Sequence, residues 1–145
     1  MSKSAKVIAE LKRIAASNGG LLQPEAVVEK ARPVTSPLHS KFTWDDSEAA
    51  HQYRLWQARQ LIRVTVELIG GIAKPVDCFV SLTTDRYAEQ GGYRVMTTVL
   101  NDAEMRKQML VDALNELQQF QQKYSRLKEL AVVFSAIRKA RRRIG

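Results

Sequence analysis

Three carboxylates crowd together at Asp45, Asp46 and Glu48. Acids this close can hold a divalent cation or shuttle a proton. Here they precede an amphipathic run, where acids accept from free backbone N–H groups and meet the positive end of a helix dipole. Asp45 as N-cap with Glu48 three residues on has the form of a capping box, and capping is the reading taken. His39 and His51 are the two histidines and Cys78 the lone cysteine, at separations of 12 and 27 residues. Those spacings match no zinc pattern, and no second cysteine is present, so neither a metal nor a cofactor is expected. Cys78 lies in the apolar run Asp77–Leu82 and reads as a small buried hydrophobe rather than a nucleophile. The glycine pairs 19–20, 70–71 and 91–92 lack a phosphate-binding context, and no nucleophile elbow or P-loop is present. The expectation is a protein that is not an enzyme.

The cations carry more information. The formal net charge is +8. Residues 1–63 hold ten Lys/Arg against six Asp/Glu, residues 64–101 three against four, and residues 102–145 ten against five. Positive charge therefore gathers in the first and last parts, which draws polyanions and makes nucleic acid the leading partner class. Lys41, Arg54, Arg59 and Arg63 interleave with Trp44, Tyr53 and Trp56. Aromatics beside cations suit base stacking and phosphate contact, although at helical spacing Tyr53 and Trp56 are expected in the core, with Trp44 open between the two roles. Lys3, Lys6 and Arg13 lie on the polar side of the first helix. Arg138, Lys139, Arg141, Arg142 and Arg143 place five cations in six positions, more than helix-dipole matching needs.

Elements that would position these residues follow from periodicity. Val7, Ile8, Leu11, Ile14 and Ala15 make one face of a helix over 4–17, stopped at Asn18-Gly19-Gly20. Pro24 suits the first position of a second helix, with Val27, Val28 and Ala31 inward and Pro33 and Pro37 beyond its end. A third helix runs from the Asp45 cap to Arg63, with Leu55, Ala58, Leu61 and Ile62 as its stripe. Together they form a module over 1–63 of helix-turn-helix-like size, though with a longer second turn, in which Arg54, Arg59 and Arg63 would face a groove. Alternating β-branched segments at 64–68, 77–82 and 93–99 predict two or three antiparallel strands over 64–101, the last two as a hairpin.

From Tyr93 to Ile144 there is neither Gly nor Pro. Asn101 is the expected cap of the last helix. Leu110, Ala113, Leu117, Phe120, Tyr124, Leu127, Ala131 and Phe134 then alternate by three and four, an a/d seam fit for an oligomer interface. A continuous or gently kinked helix over 102–143 is favoured over a hairpin bent near Lys123–Ser125, since no breaker marks a bend. The expected fold class is α+β: a helical module, a small antiparallel sheet, and a long amphipathic helix over 102–145 with a basic end.

No segment approaches the ~20 apolar residues of a membrane span, and the opening residues show no secretory pattern, so the expected location is the bacterial cytoplasm, at the nucleoid if DNA is bound. The words LLQPEAVV, SPLHSKFTWDD and QARQLIR, within residues 21–63, a stretch of roughly a third of the chain, resemble a stretch in small proteins encoded by temperate bacteriophages and prophages. The resemblance implies a phage origin and a role in regulation or DNA metabolism, and it carries over no functional residue. The expected function is a non-enzymatic DNA-binding protein that forms a homo-oligomer, most simply a dimer. The alternative is an adaptor or inhibitor docking on a host or phage protein without nucleic acid.

Overall fold

The computed structural model describes residues 2–44, 47–67, 74–87 and 91–144. The fold is α+β, with seven α-helices and two small antiparallel sheets among the described residues. The chain divides into two compact units, Met1–Asn101 and Asp102–Gly145.

In the first unit, α1 (Lys3–Ser17) starts where the Ser2 hydroxyl accepts from the Ala5 N–H at 3.1 Å. It buries Val7, Leu11, Ile14 and Ala15. Gly19 and Gly20 have positive φ of 62° and 90°, which lets the Gly20 N–H turn back to the Ala15 carbonyl at 2.8 Å. Helix α2 (Pro24–Ala31) begins on its proline and buries Val27, Val28 and Ala31. The link beyond it carries one 3₁₀ turn, His39–Lys41. Helix α3 (Glu48–Val64) packs on α2 through Leu55, Ala58 and Ile62. Its N-cap is Ser47, whose hydroxyl accepts from the Ala50 N–H, so the helix opens later than a cap at Asp45 implies; Asp45 and Asp46 lie outside the described residues.

The strands are shorter than period-two alternation implies. Strand β1 (Val66–Glu67) pairs antiparallel with β2 (Val76–Asp77), and β3 (Phe79–Val80) with β4 (Arg94–Val95). The 77–82 run is thus split between two sheets at the buried Cys78. Val64, expected in a strand, ends α3. Helix α4 (Thr83–Arg86) sits inside the β3–β4 connection. The expected strand 93–99 stops at Val95: the Met96 N–H donates to the Cys78 carbonyl at 2.8 Å, and the chain winds into α5 (Met96–Asn101), burying Val99. Burial of one residue per turn overrides the β-branched propensity of that run. An isolated bridge, Leu22 with Tyr93 at 2.6 and 2.8 Å, ties the α1–α2 link to the start of β4.

The second unit corrects the single long helix. Helix α6 (Ala103–Lys123) is capped by the side chain of Asp102, not Asn101, accepting from the Met105 N–H at 2.9 Å. It spans roughly 31 Å at 1.5 Å per residue. At Tyr124 the chain leaves the helix, and the Leu127 N–H donates to the Tyr124 carbonyl at 3.0 Å. A 3₁₀ turn (Lys128–Leu130) leads into α7 (Ala131–Ile144), which packs back on α6. An ordinary backbone turn suffices without Gly or Pro. Leu114, Phe134 and Ile137 are buried, and the Phe120 ring meets Phe134 edge-on with centroids 6.4 Å apart. A straight helix of this sequence would have left its apolar surface to water unless a partner covered it.

Cys78 sits beside the ion pair that joins α1 to β1, Lys12 Nζ to Glu67 Oε2 at 2.9 Å. Burial, and then the Glu67 carboxylate, push its thiol up to about 12. The unfolded chain releases this proton near the ordinary value of 9.0, so the stabilisation is complete below about pH 9 and is lost as pH rises towards 12. Replacing Cys78 with Ala should therefore flatten the fall of stability over that window, read by urea unfolding at several pH values. At pH 8 the native thiol should react with a disulfide reagent at least about 1000-fold more slowly than in the unfolded chain; equal rates would contradict the burial.

Candidate nucleic-acid interface

Helix α3 turns its narrow stripe of Leu55, Ala58 and Ile62 inward, so side chains on the far side project outward. Trp56, Arg59 and Arg63 step by three and four and share that outer face. Tyr53 and Trp56, expected in the core, are 49% and 51% exposed. Their rings stack with centroids 5.6 Å apart and planes 18° from parallel. The inward stripe is filled by small and aliphatic residues, and outside it one aromatic becomes the packing partner of the other.

Arg59 and Arg63 line a cleft of about 420 Å³ that also includes Pro24, Ser81, Arg86, Gly91, Gly92 and Tyr93. Three guanidinium groups converge there, and none of the described lining residues is acidic. Arg86 was not singled out from the sequence. It is steadied by a bond from Nη2 to the Ser81 carbonyl at 3.1 Å. Its acidic neighbour Asp85 is 6% exposed and held by Arg94 through two bonds, from Nε at 2.7 Å and from Nη2 at 2.9 Å. This bidentate pair fixes α4 against β4 and neutralises the carboxylate closest in sequence to Arg86. Sequence spacing gave no sign of it, because only the β3–β4 pairing brings residues nine apart face to face.

Arg54 belongs elsewhere. It is 4% exposed, and its guanidinium lies 5.4 Å from the Trp44 ring centroid while Nη1 donates to the Thr43 carbonyl at 3.4 Å. Its expected place on a groove-facing surface is thus corrected: five residues from Arg59, and so roughly 140° around the helix from it, it points into the packing between α3 and the preceding link. Trp44 is absorbed by the same packing. Its indole N–H donates to the His39 carbonyl at 2.9 Å, its ring stacks on His39 at 5.0 Å, and Arg32 covers it at 5.6 Å.

A second cationic cleft, of about 520 Å³, gathers Lys3, Lys6 and Lys41 with His39, Ser36 and Ser40. Residues far apart in sequence thus meet on one surface. Arg13 stands apart from this group, bonded to Glu10 through Nε at 2.9 Å.

In the second unit, Arg138, Lys139, Arg142 and Arg143 are exposed on α7. Among the described residues no ion pair uses them. Arg141 is half-buried and bonds Gln118 Oε1; with Arg138 it lines a cleft of about 440 Å³ beside Gln118, Gln121, Gln122 and Ser125. The a/d seam is only partly where the sequence put it. Phe134 is buried within the hairpin, as is Leu114, which the heptad reading had left out. Leu110, Ala113, Leu117, Phe120, Leu127 and Ala131 remain exposed, and Tyr124 is half-buried against Phe120 at 4.9 Å. The hairpin contact runs one position off the heptad register, because α7 returns along the Leu114–Gln118 side of α6.

Among the described residues no group of three His, Cys, Asp or Glu could hold a metal ion, and no helix is long and apolar enough to cross a membrane. Cys78 is buried, and that burial with the Glu67 carboxylate beside it disfavours the thiolate. No protein-family model, curated protein or solved structure matches this chain.

Replacing Arg94 with Ala leaves Asp85 buried without its bidentate partner, and should cost about 3 kcal/mol of stability. Chemical denaturation measures this; a loss under about 1 kcal/mol would mean that the pair behaves as a surface contact.

Proposed function

We propose that this protein binds nucleic acid, DNA foremost, through its cationic surfaces and without catalysing a reaction, and that copies associate through the exposed stripe of α6. The observation that carries this reading is the run Arg138, Lys139, Arg142 and Arg143, exposed on the last turns of α7 and without carboxylate partners among the described residues. Dipole matching accounts for cations in the last helical turn, but Arg138 and Lys139 lie a turn earlier. Phosphates of a duplex supply the charge such a cluster attracts, independent of sequence. The lysine cleft of Lys3, Lys6 and Lys41 supports the same reading. The phage resemblance of residues 21–63 agrees with it, and a DNA-bound protein of this kind would sit at the nucleoid of a bacterial host.

Changing Arg138, Lys139, Arg142 and Arg143 together to Gln should weaken duplex binding at least about tenfold on every sequence and lower the slope of log affinity against log salt by about 3. Titrations at several salt concentrations measure both, and an unchanged slope removes these residues from the interface.

Leu110, Leu117 and Phe120 keep about 40% of their surface exposed along one side of α6, with Ala113 exposed among them, a stripe suited to a second copy. Leu117→Glu should shift the wild-type assembly to monomer in sedimentation runs. A wild-type chain that is monomeric at high concentration removes self-association. If the wild type also fails to bind duplex and single strands at low salt, the same stripe reads as the docking face of an adaptor.

A further inference from the structure

We propose that the outer face of α3 is a site for unpaired nucleotides, with a base laid on the Tyr53–Trp56 ring pair and phosphate held in the cleft of Arg59, Arg63 and Arg86. The inference rests on the reading that the chain binds nucleic acid, and it adds which form of nucleic acid and where. Two independent features meet on this one helix face. The ring pair is half exposed and already stacked, with planes 18° apart, so each ring is held by its neighbour while surface remains open to a third flat group. One to two helical turns away, Arg59 and Arg63 line a cleft of about 420 Å³ together with Arg86. Guanidinium groups present planar forks of donors that match phosphate oxygens. Arg86 is anchored on the Ser81 carbonyl and the adjacent Asp85 is occupied by Arg94, so the cleft's charge is directed outward.

Flatness and charge together select the ligand. A duplex buries the faces of its bases against one another and offers only their edges in the grooves; an exposed ring pair has nothing to stack on there. An acidic peptide satisfies the arginines and leaves the rings unused. A single strand offers unstacked bases and phosphates in alternation, the pattern that aromatic platforms beside cationic grooves bind. No exposed ring pair lines the lysine cleft, whose His39 ring is covered by Trp44, or the cleft beside α7, so charge is what these two surfaces offer.

The test uses the full chain, an oligo-dT of about 15 nucleotides and a mixed-sequence duplex of the same length, at two salt concentrations. Trp56→Ala should weaken oligo-dT binding about tenfold and leave duplex binding within twofold, since one base–aromatic stack is worth about that factor. Trp56→Phe, which keeps a ring, should recover most of the loss. The Arg59→Gln/Arg63→Gln variant should weaken oligo-dT binding further and lower its salt slope by about 1. Circular dichroism and thermal melting confirm that each variant is folded, as expected for half-exposed and exposed side chains. Unchanged oligo-dT affinity in Trp56→Ala, or equal losses on both ligands, overturns the proposal, as does poly-glutamate competing as well as oligo-dT at matched charge. Retained duplex binding in that case leaves the cationic reading of α7 standing, whereas a wild type that binds neither nucleic acid at low salt ends both.

Discussion

The contact on which the candidate surface of the first unit depends is the buried pair of Asp85 and Arg94. It joins α4 to β4 by two charge-assisted bonds, and α4 is a four-residue helix with too little packing of its own to hold a position. Arg86 follows directly, so its direction is set by its neighbour's ion pair. Tyr93, preceding Arg94, is bridged to Leu22 ahead of α2, and Pro24 at the start of α2 lines the same cleft as Arg86. A single buried pair thereby registers three segments, distant in sequence, around one concave surface. Burying charge is justified less by net stabilisation than by the strain of any alternative arrangement, since a misplaced Arg94 would strand the carboxylate.

Four other carboxylates are paired as well. Glu10 pairs with Arg13, Glu29 with Arg32, Glu67 with Lys12 and Glu25 with His51. Exposed pairs three residues apart contribute little to stability. Their effect on the surface field is larger, because each withdraws a negative charge from competition with an external anion. These acids are paired on α1, α2 and β1, whereas no ion pair among the described residues uses Arg59 or Arg63 of α3 or Arg138, Lys139, Arg142 or Arg143 of α7. The excess positive charge is therefore left on a few helical surfaces, Lys3 and Lys6 of α1 included, and clustered charge is the kind that steers a polyanion.

Much of this was legible in the sequence where local rules decide. Helices α1 and α2 end where their glycines and prolines require, and their buried faces are those that the 3.6-residue period picks out. Legibility failed where tertiary contacts choose between local options. Val95 to Val99 carries strand-like residues, but the ladder to Cys78 ends at Met96 and a helical turn buries Val99 better. The 102–143 segment holds no breaker, and its bend at Tyr124 is selected by the burial of Leu114, Phe134 and Ile137 across the hairpin, a gain invisible to pattern alone. The heptad reading named the right side of α6 to within one position, and that single step exchanged Leu114 for Leu110 and Leu117 at the contact. Arg86 and Arg94 carried no signal, since charge in a short connection reads as solvation until its partner is known. Arg54 illustrates the reverse error: its type says surface, but Trp44 offers a ring face on which a guanidinium can be buried.

The placement of the two tryptophans sharpens the functional argument. Trp44 has every polar and aromatic feature engaged: an N–H on a carbonyl, one face on His39, and guanidinium groups against its ring. Trp56 is left half in water, although full burial of an indole is among the larger apolar gains a side chain can offer, on the order of 2–3 kcal/mol. Packing alone would favour a smaller residue at that position, or a rotation of α3 that brought the ring inward at the expense of Ala58. The helix instead keeps Ala58 inside and presents Trp56 with Tyr53 as a stacked pair. Stacking restrains both rings, so a third flat group can settle on them with little further loss of side-chain freedom. Combined with the arginines one and two turns along, this geometry makes the exposed aromatic part of a preorganised surface, flat and cationic together, of the kind the proposed single-strand site needs.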